Sequence, residues 1–183
     1  DYPGQLEIII VDDHSTDGTL EVIERRQRDL NSVRNASCNI KWIPAPSLPD
    51  GWFGKPNASH AGACAARGEL LLFTDADMEH EAFSAASAVA YARAHSLDGL
   101  SIFPRQEMNG LLENAVLMVA FAGLFAGLRR STTMLNGQYV LIRRDVYEVS
   151  GGFAAVRAEM LEDLAYGRLL SDQGYQVPIM RGE

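Results

Sequence analysis

Three acidic pairs carry the residue types that chemistry needs. Asp12-Asp13 follow the β-branched run Glu7–Val11, and Asp75-Ala76-Asp77 follow the apolar run Leu70–Thr74. Four carboxylates at two strand ends repel one another; left unpaired, they cost stability and raise some of their own pKa values. A divalent cation with phosphate oxygens resolves that repulsion, and carboxylate oxygens suit Mg²⁺ or Mn²⁺. The third pair, Glu162-Asp163, opens a predicted helix. A carboxylate within reach of a hydroxyl can take its proton. Each acid also has a plainer role, because Asp forms turns and an acid at a helix start is stabilised by the dipole. Asp17 is read in that plainer way. An Asp-x-Asp arises by chance about once in such a composition, so its setting must support it.

The setting is a chain of alternating strands and helices. Glu7 to Val11 reads as a buried strand. Ser15 or Asp17 can cap a helix running to about Leu30. Asn39 to Ile43 reads as a second strand, and residues 44–56, rich in Pro and Gly, as a loop. A small-residue helix from about Asn57 to Ala66 ends at Gly68. Leu70 to Thr74 is a buried strand, Glu81 to His95 an Ala-rich helix and Leu97 to Phe103 a strand. The long apolar segment 111–128 follows. Beyond it come a strand over Gln138–Ile142 and a short helix, Arg144–Val149, closed by Gly151-Gly152. A helix over Glu162–Gln173 and a strand over Tyr175–Ile179 complete the series. This alternation predicts an α/β fold with a largely parallel sheet. Ligands of such sheets bind beyond the carboxyl ends of the strands, where Asp12, Asp13, Asp75 and Asp77 lie.

Composition narrows the function. The 183 residues are 47% apolar and 22% charged, which is the balance of one globular domain. The formal charge of −8 without a basic run argues against nucleic-acid binding. Cys38 and Cys64 lack metal spacing and read as reduced, small apolar residues. The four histidines share no metal spacing either, and surface or loop roles are expected of them. The sequons at Asn35 and Asn57 read as chance. Both ends run directly beside predicted strands, which gives the expectation of a single domain over residues 1–183, cut at both ends.

Two resemblances compete for the first acidic pair. Ile8–His14 is similar to the opening of response-regulator receiver domains, but the window for a phosphorylated Asp, Pro46 to Pro56, is a loop holding only Asp50. The stronger resemblance spans nearly the whole chain. Residues 7–19 (EIIIVDDHSTDGT) resemble the first nucleotide-binding segment of family 2 glycosyltransferases. Gly51-Trp52-Phe53-Gly54-Lys55 through Gly68 to Asp77-Met78 resembles the second. Asn136-Gly137-Gln138-Tyr139 with Arg143-Arg144 and Gly151-Gly152-Phe153 resembles the acceptor-side segment, and Leu161–Leu164 the Glu-Asp motif. Within the family, the chain is similar to the membrane-associated branch that glycosylates lipids such as hopanoids and carotenoids.

The resemblance implies a GT-A (Rossmann-like) three-layer α/β sandwich with a mostly parallel central sheet. It implies an inverting, metal-dependent transferase that moves a sugar from a nucleoside diphosphate sugar, UDP-linked by preference, to a hydroxyl of a lipid or glycan. Asp12 or Asp13 would meet the base and ribose, and Lys55 would lie near the nucleotide. Asp75 would face the ribose and the metal, and Asp77 would coordinate Mg²⁺ or Mn²⁺ on the diphosphate. Asp163 matches the catalytic base, with Glu162 orienting or supporting it. The plainer alternatives are an exposed loop lysine for Lys55 and a helix-start acid for Asp163. Trp52 suits either stacking on a ligand or anchoring its loop, and Arg157 reads as a solvated arginine.

Rival functions are a nucleotidyltransferase and a non-catalytic nucleotide-binding remnant. The first wants a Gly-rich basic loop after its first strand, and that region is acidic here. Residues 111–128 fit a buried core helix, an interfacial helix backed by Arg129-Arg130, or less well a membrane span. The expected location of the whole protein is the cytoplasmic face of a membrane.

Overall fold

A computed structural model of the chain describes residues 2–31, 38–106, 110, 116, 119 and 134–182. The order is β1 (Leu6–Asp12), α1 (Thr19–Asn31), β2 (Cys38–Pro44), α2 (Gly54–Ala65), β3 (Leu70–Thr74), α3 (Ser84–Ala94) and β4 (Gly99–Phe103). After the segment 107–133 come β5 (Tyr139–Arg143), α4 (Arg144–Ser150), a 3₁₀ helix (Gly152–Val156), α5 (Glu162–Asp172) and β6 (Ile179–Arg181). Most of the segment 111–128 lies outside the described residues. Its Val116 and Val119 are helical and exposed. Among the described residues, no helix is long and apolar enough to cross a membrane.

β1 and β2 pair in parallel over their full lengths, Leu6 opposite Cys38 and Asp12 opposite Pro44. The other four strands form a sheet in the order β3-β5-β4-β6. β5 is antiparallel to both β3 and β4, and β4 is parallel to β6. Three strands of this sheet therefore share a direction, and β5 alone is reversed between two of them.

β5 shows why the fold is layered. Its sequence YVLI is buried throughout, as expected for a strand covered on both faces. Side chains alternate across a strand. Val140 and Ile142 accordingly join one core with Tyr147, Phe153 and Tyr166, while Tyr139 and Leu141 join another with Val89 of α3. At Gly152 the backbone has φ +53°, and an added Cβ would stand 2.3 Å from the Tyr147 ring. Only glycine lets the 3₁₀ helix fold onto that ring.

Some boundaries differ from expectation. α2 begins at Gly54 rather than Asn57, with Pro56 inside its first turn. Proline fits there because first-turn N–H groups have no intrahelical partner. α3 begins at Ser84, three residues after the predicted start. The last strand is β6 at Ile179–Arg181, not Tyr175–Ile179. Tyr175 N–H goes to the Leu170 carbonyl and closes α5, and Gln176 N–H goes to Asp98 Oδ2. Those donors are spent before a ladder can form.

Candidate active site

The carboxyl end of β1 holds the first acidic pair. Asp12 is buried at 7% exposure; its Oδ2 accepts Ser15 N–H at 3.2 Å, while its buried Oδ1 has no partner among the described residues. His14 follows with φ +61°, a left-handed conformation that turns the chain off the strand axis. Asp13 is exposed beside the start of α2, where a Cβ on Gly54 would lie 3.1 Å from Asp13 Oδ2. Asp17 does what the plainer reading asks: its Oδ1 accepts N–H from Thr19, the first residue of α1.

Lys55, the second residue of α2, reaches across to the other two acidic pairs. Its Nζ lies 2.8 Å from Asp75 Oδ1 and 3.4 Å from Glu162 Oε1. It is a helix residue with a half-exposed side chain, not a free loop lysine. Burial lowers the Lys55 pKa, but the hydrogen bond and charge of Asp75, aided by Glu162, outweigh it and leave the pKa raised. Phe53 N–H bonds the Arg157 carbonyl at 2.9 Å, which fastens the start of α2 to the chain leading into α5. Arg157 itself is exposed, as expected.

Glu162 and Asp163 begin α5. Glu162 is buried; Asp163 is half-buried and accepts two backbone N–H groups, Gly137 on Oδ2 at 3.0 Å and Leu164 on Oδ1 at 2.8 Å. A Cβ at Gly137 would lie 3.2 Å from Lys55 Nζ and 3.3 Å from Asp163 Oδ2, so the turn passes against both groups. That turn is shaped by Asn136, whose Oδ1 accepts Gln138 N–H and whose backbone N–H goes to Ser101 Oγ. Ser101, fully buried on β4, is a supporting residue that sequence reading missed. Its only signal was a hydroxyl within an apolar strand.

Asp77 is exposed two residues past Asp75 and has no hydrogen bond or ion pair among the described residues. Among the described residues, no three Asp, Glu, His or Cys side chains converge as a metal site. Mg²⁺ commonly takes only one or two carboxylates, completing its shell with phosphate and water. Asp75 and Asp77 fit that donor set.

Other expectations resolve locally. Trp52 packs its ring 5.7 Å from His60 of α2. His80 bonds Thr74 Oγ1 through Nε2 at 2.9 Å, and His95 stacks on Tyr91. Cys38 and Cys64 are free thiols. Arg143-Arg144 do not join the turn at Asn136–Gln138. Arg143 lies opposite Leu70, at the other end of β5, where it pairs with Asp98 and Asp145.

The model for glycosyl transferase family 2 matches residues 2–164. The chain belongs to that family. This family 2 chain is 24% identical over 188 residues to 4,4'-diaponeurosporenoate glycosyltransferase of Staphylococcus haemolyticus, covering 98% of this chain and 47% of that protein. It therefore spans about half the length of the curated relative it matches. Its fold is similar to that of a mannosyltransferase from Pyrobaculum calidifontis solved with GDP-Man and Mn²⁺, with a TM-score of 0.67 at 20% identity. That match covers 96% of this chain and 46% of the other. It is also similar to S. aureus TarS residues 1–349 solved with UDP, with a TM-score of 0.61 at 20% identity over 98% of this chain and 50% of that one. The architecture of this family 2 member is GT-A, as the sequence resemblance implied.

Proposed function

We propose that this chain is the catalytic unit of an inverting glycosyltransferase that binds a nucleoside diphosphate sugar together with Mg²⁺ or Mn²⁺. The observation carrying the reading is the meeting of Lys55, Asp75, Glu162 and Asp163 at one place by the carboxyl ends of β1 and β3. Four separate sequence segments, including Gly137 before β5, supply that one place. The two solved structures, which carry GDP-Man with Mn²⁺ and UDP, support a nucleotide donor and a divalent cation.

Each residue has a task in this reading. Asp12 and Asp13 accept hydrogen bonds from the base and ribose, and the spare acceptor on Asp12 Oδ1 suits that role. Asp75 and Asp77 hold the cation. When bound, the cation offsets the charge that develops on the leaving diphosphate. Lys55 serves the diphosphate from the N-terminal end of α2, where the helix dipole also favours an anion. Asp163 takes the proton of the attacking hydroxyl. Its two backbone N–H partners fix the plane of the carboxylate and leave each oxygen a further lone pair. Glu162, buried beside Lys55, keeps the ammonium in place. The hydroxyl that this base activates attacks opposite the leaving diphosphate, so one displacement breaks the anomeric C–O bond as the new one forms, and the configuration inverts.

A lipid acceptor is the preferred partner. The similarity to diaponeurosporenoate glycosyltransferase supports it. So do Phe53, Met160 and Leu161, which are exposed on the segments that lead into Lys55 and Glu162. Such an acceptor is met at a membrane surface.

Calorimetric titration of uridine and guanosine diphosphates tests the donor reading. With Mn²⁺, one of the two binds; in EDTA, or with Asp77→Ala, the affinity falls at least about 10-fold, as loss of a bridging cation requires. Equal affinity in EDTA overturns the metal-dependent reading.

A further inference from the structure

Lys55 Nζ occupies one of the two oxygens that Asp75 could offer a cation. The ammonium sits 2.8 Å from Asp75 Oδ1, in full hydrogen-bond contact, and 3.4 Å from Glu162 Oε1. Two like charges do not share one carboxylate oxygen without mutual repulsion. A metal ion arriving at Asp75 must therefore displace Lys55 from that oxygen or bind more weakly.

The side chains differ in their freedom to respond. Lys55 is half-exposed at 50%, whereas the Glu162 side chain is exposed by only 10%. A lysine is also the right cation to move: it is a point charge on a flexible stem, where an arginine fork would hold a carboxylate in two-point contact. The backbone of Lys55 does not move with it, because Phe53 N–H and Asn57 N–H are both engaged, with the Arg157 and Phe53 carbonyls respectively. The side chain alone is left to move.

We propose that Lys55 is an exchangeable counter-cation, which holds Asp75 and Glu162 together until a divalent cation takes Asp75 and which then turns to the donor diphosphate. The inference rests on the reading of Asp75 as a metal ligand. It assigns Lys55 two opposed effects. The ammonium weakens binding of the bare metal and strengthens binding of the nucleotide once the metal is present. It thereby couples the two events, so that the site fills with metal and donor together rather than with metal alone.

The test is Mn²⁺ binding without nucleotide, read from the paramagnetic resonance signal of free Mn²⁺, on the full chain. Lys55→Met keeps the stem and removes the charge, and it binds bare Mn²⁺ about 5-fold or more tighter than wild type, the scale of one near-surface charge contact. Lys55→Arg, which retains charge and grips Asp75 more firmly, binds Mn²⁺ more weakly than wild type. With Mn²⁺ present, Lys55→Met binds the nucleoside diphosphate about 10-fold more weakly, as loss of a charged phosphate contact implies. Bare Mn²⁺ binding to Lys55→Met that is no tighter than to wild type overturns the proposal, including the case in which neither binds. Should Lys55→Met not fold by circular dichroism, a Lys55→Arg variant with wild-type Mn²⁺ affinity overturns it equally. Nucleotide binding by wild type that ignores Mn²⁺ is a different failure and falls on the metal reading itself.

Discussion

Asp163 Oδ2 accepts the backbone N–H of Gly137 at 3.0 Å, so the first turn of α5 is tied to the turn that starts β5. The tie crosses 26 residues of sequence and joins two segments that each pack against Lys55. A carboxylate held only by a helix dipole has no need of such a contact. One held for chemistry gains from it, because a general base works only at a fixed distance from its proton.

The Asp163→Asn variant separates the two roles. The amide oxygen can still accept one of the two N–H groups, so the fold and donor affinity persist. Turnover of the complete enzyme falls about 10²- to 10⁴-fold, the usual contribution of a general base. Rates within a few-fold of wild type would leave Asp163 with a helix-start role alone.

Asp12 gives a prediction of opposite sign for stability and binding. A buried carboxylate oxygen without a partner destabilises a fold. Asp12→Asn retains an acceptor for Ser15 N–H and removes the charge. The ligand-free chain is then stabilised by about 1 kcal/mol, seen as a rise of about 2–4 °C in Tm. Its affinity for the nucleoside diphosphate drops. A lower Tm in this variant would mean that the amide NH₂ put in place of Oδ1 costs more when buried unpaired than the charge it removes.

Glu7 supplies a pH test away from that site. The Lys41 ammonium at 2.8 Å, opposed by partial burial and aided by Arg67 N–H, holds the Glu7 carboxyl below its ordinary value of 4.5. A lowered folded pKa contributes stability above the unfolded value and loses it as pH falls through the folded one. Glu7→Gln is therefore less stable than wild type by about 1 kcal/mol at pH 7. Denaturant midpoints of the two chains converge as pH falls from 4.5 through the lowered folded pKa. A gap that does not narrow with falling pH would assign the loss to packing rather than charge.

The sequence was most readable where a single physical cause decides the outcome. The runs EIIIV and LLLFT are apolar enough to read as strands, and β1 and β3 lie there, although β1 is only half-buried and its Ile8 is exposed. Acids directly after such strands must sit at their carboxyl ends, so Asp12, Asp13 and Asp75 were placeable before any coordinates. Strand direction was not legible: nothing in YVLIR distinguishes an antiparallel β5 from a parallel one. The reversed strand also fixes where Arg143 lies, opposite Leu70 at the end of β5 away from the Asn136–Gln138 turn. The contact of Lys55 with Glu162 joins residues 107 positions apart. Periodicity carries no information about such pairs; only the family resemblance brought both residues to one site.

The far end of α2 is anchored as its beginning is, by a contact from another element. Lys41 Nζ reaches from β2 both to Glu7 of β1 and to the carbonyl of Ala65, the last residue of α2. Midway along, Gly62 sits so close to β1 that an added Cβ would stand 3.1 Å from Val11 Cγ2. The helix is thus held at both ends, at its start by Phe53 N–H on the Arg157 carbonyl and at Ala65 by Lys41. The strand that bears Asp12 is the one its middle leans on, so Asp12 and Lys55 share one footing in the parallel pair β1-β2, whose register puts Glu7 beside Asn39 and Asp12 beside Pro44.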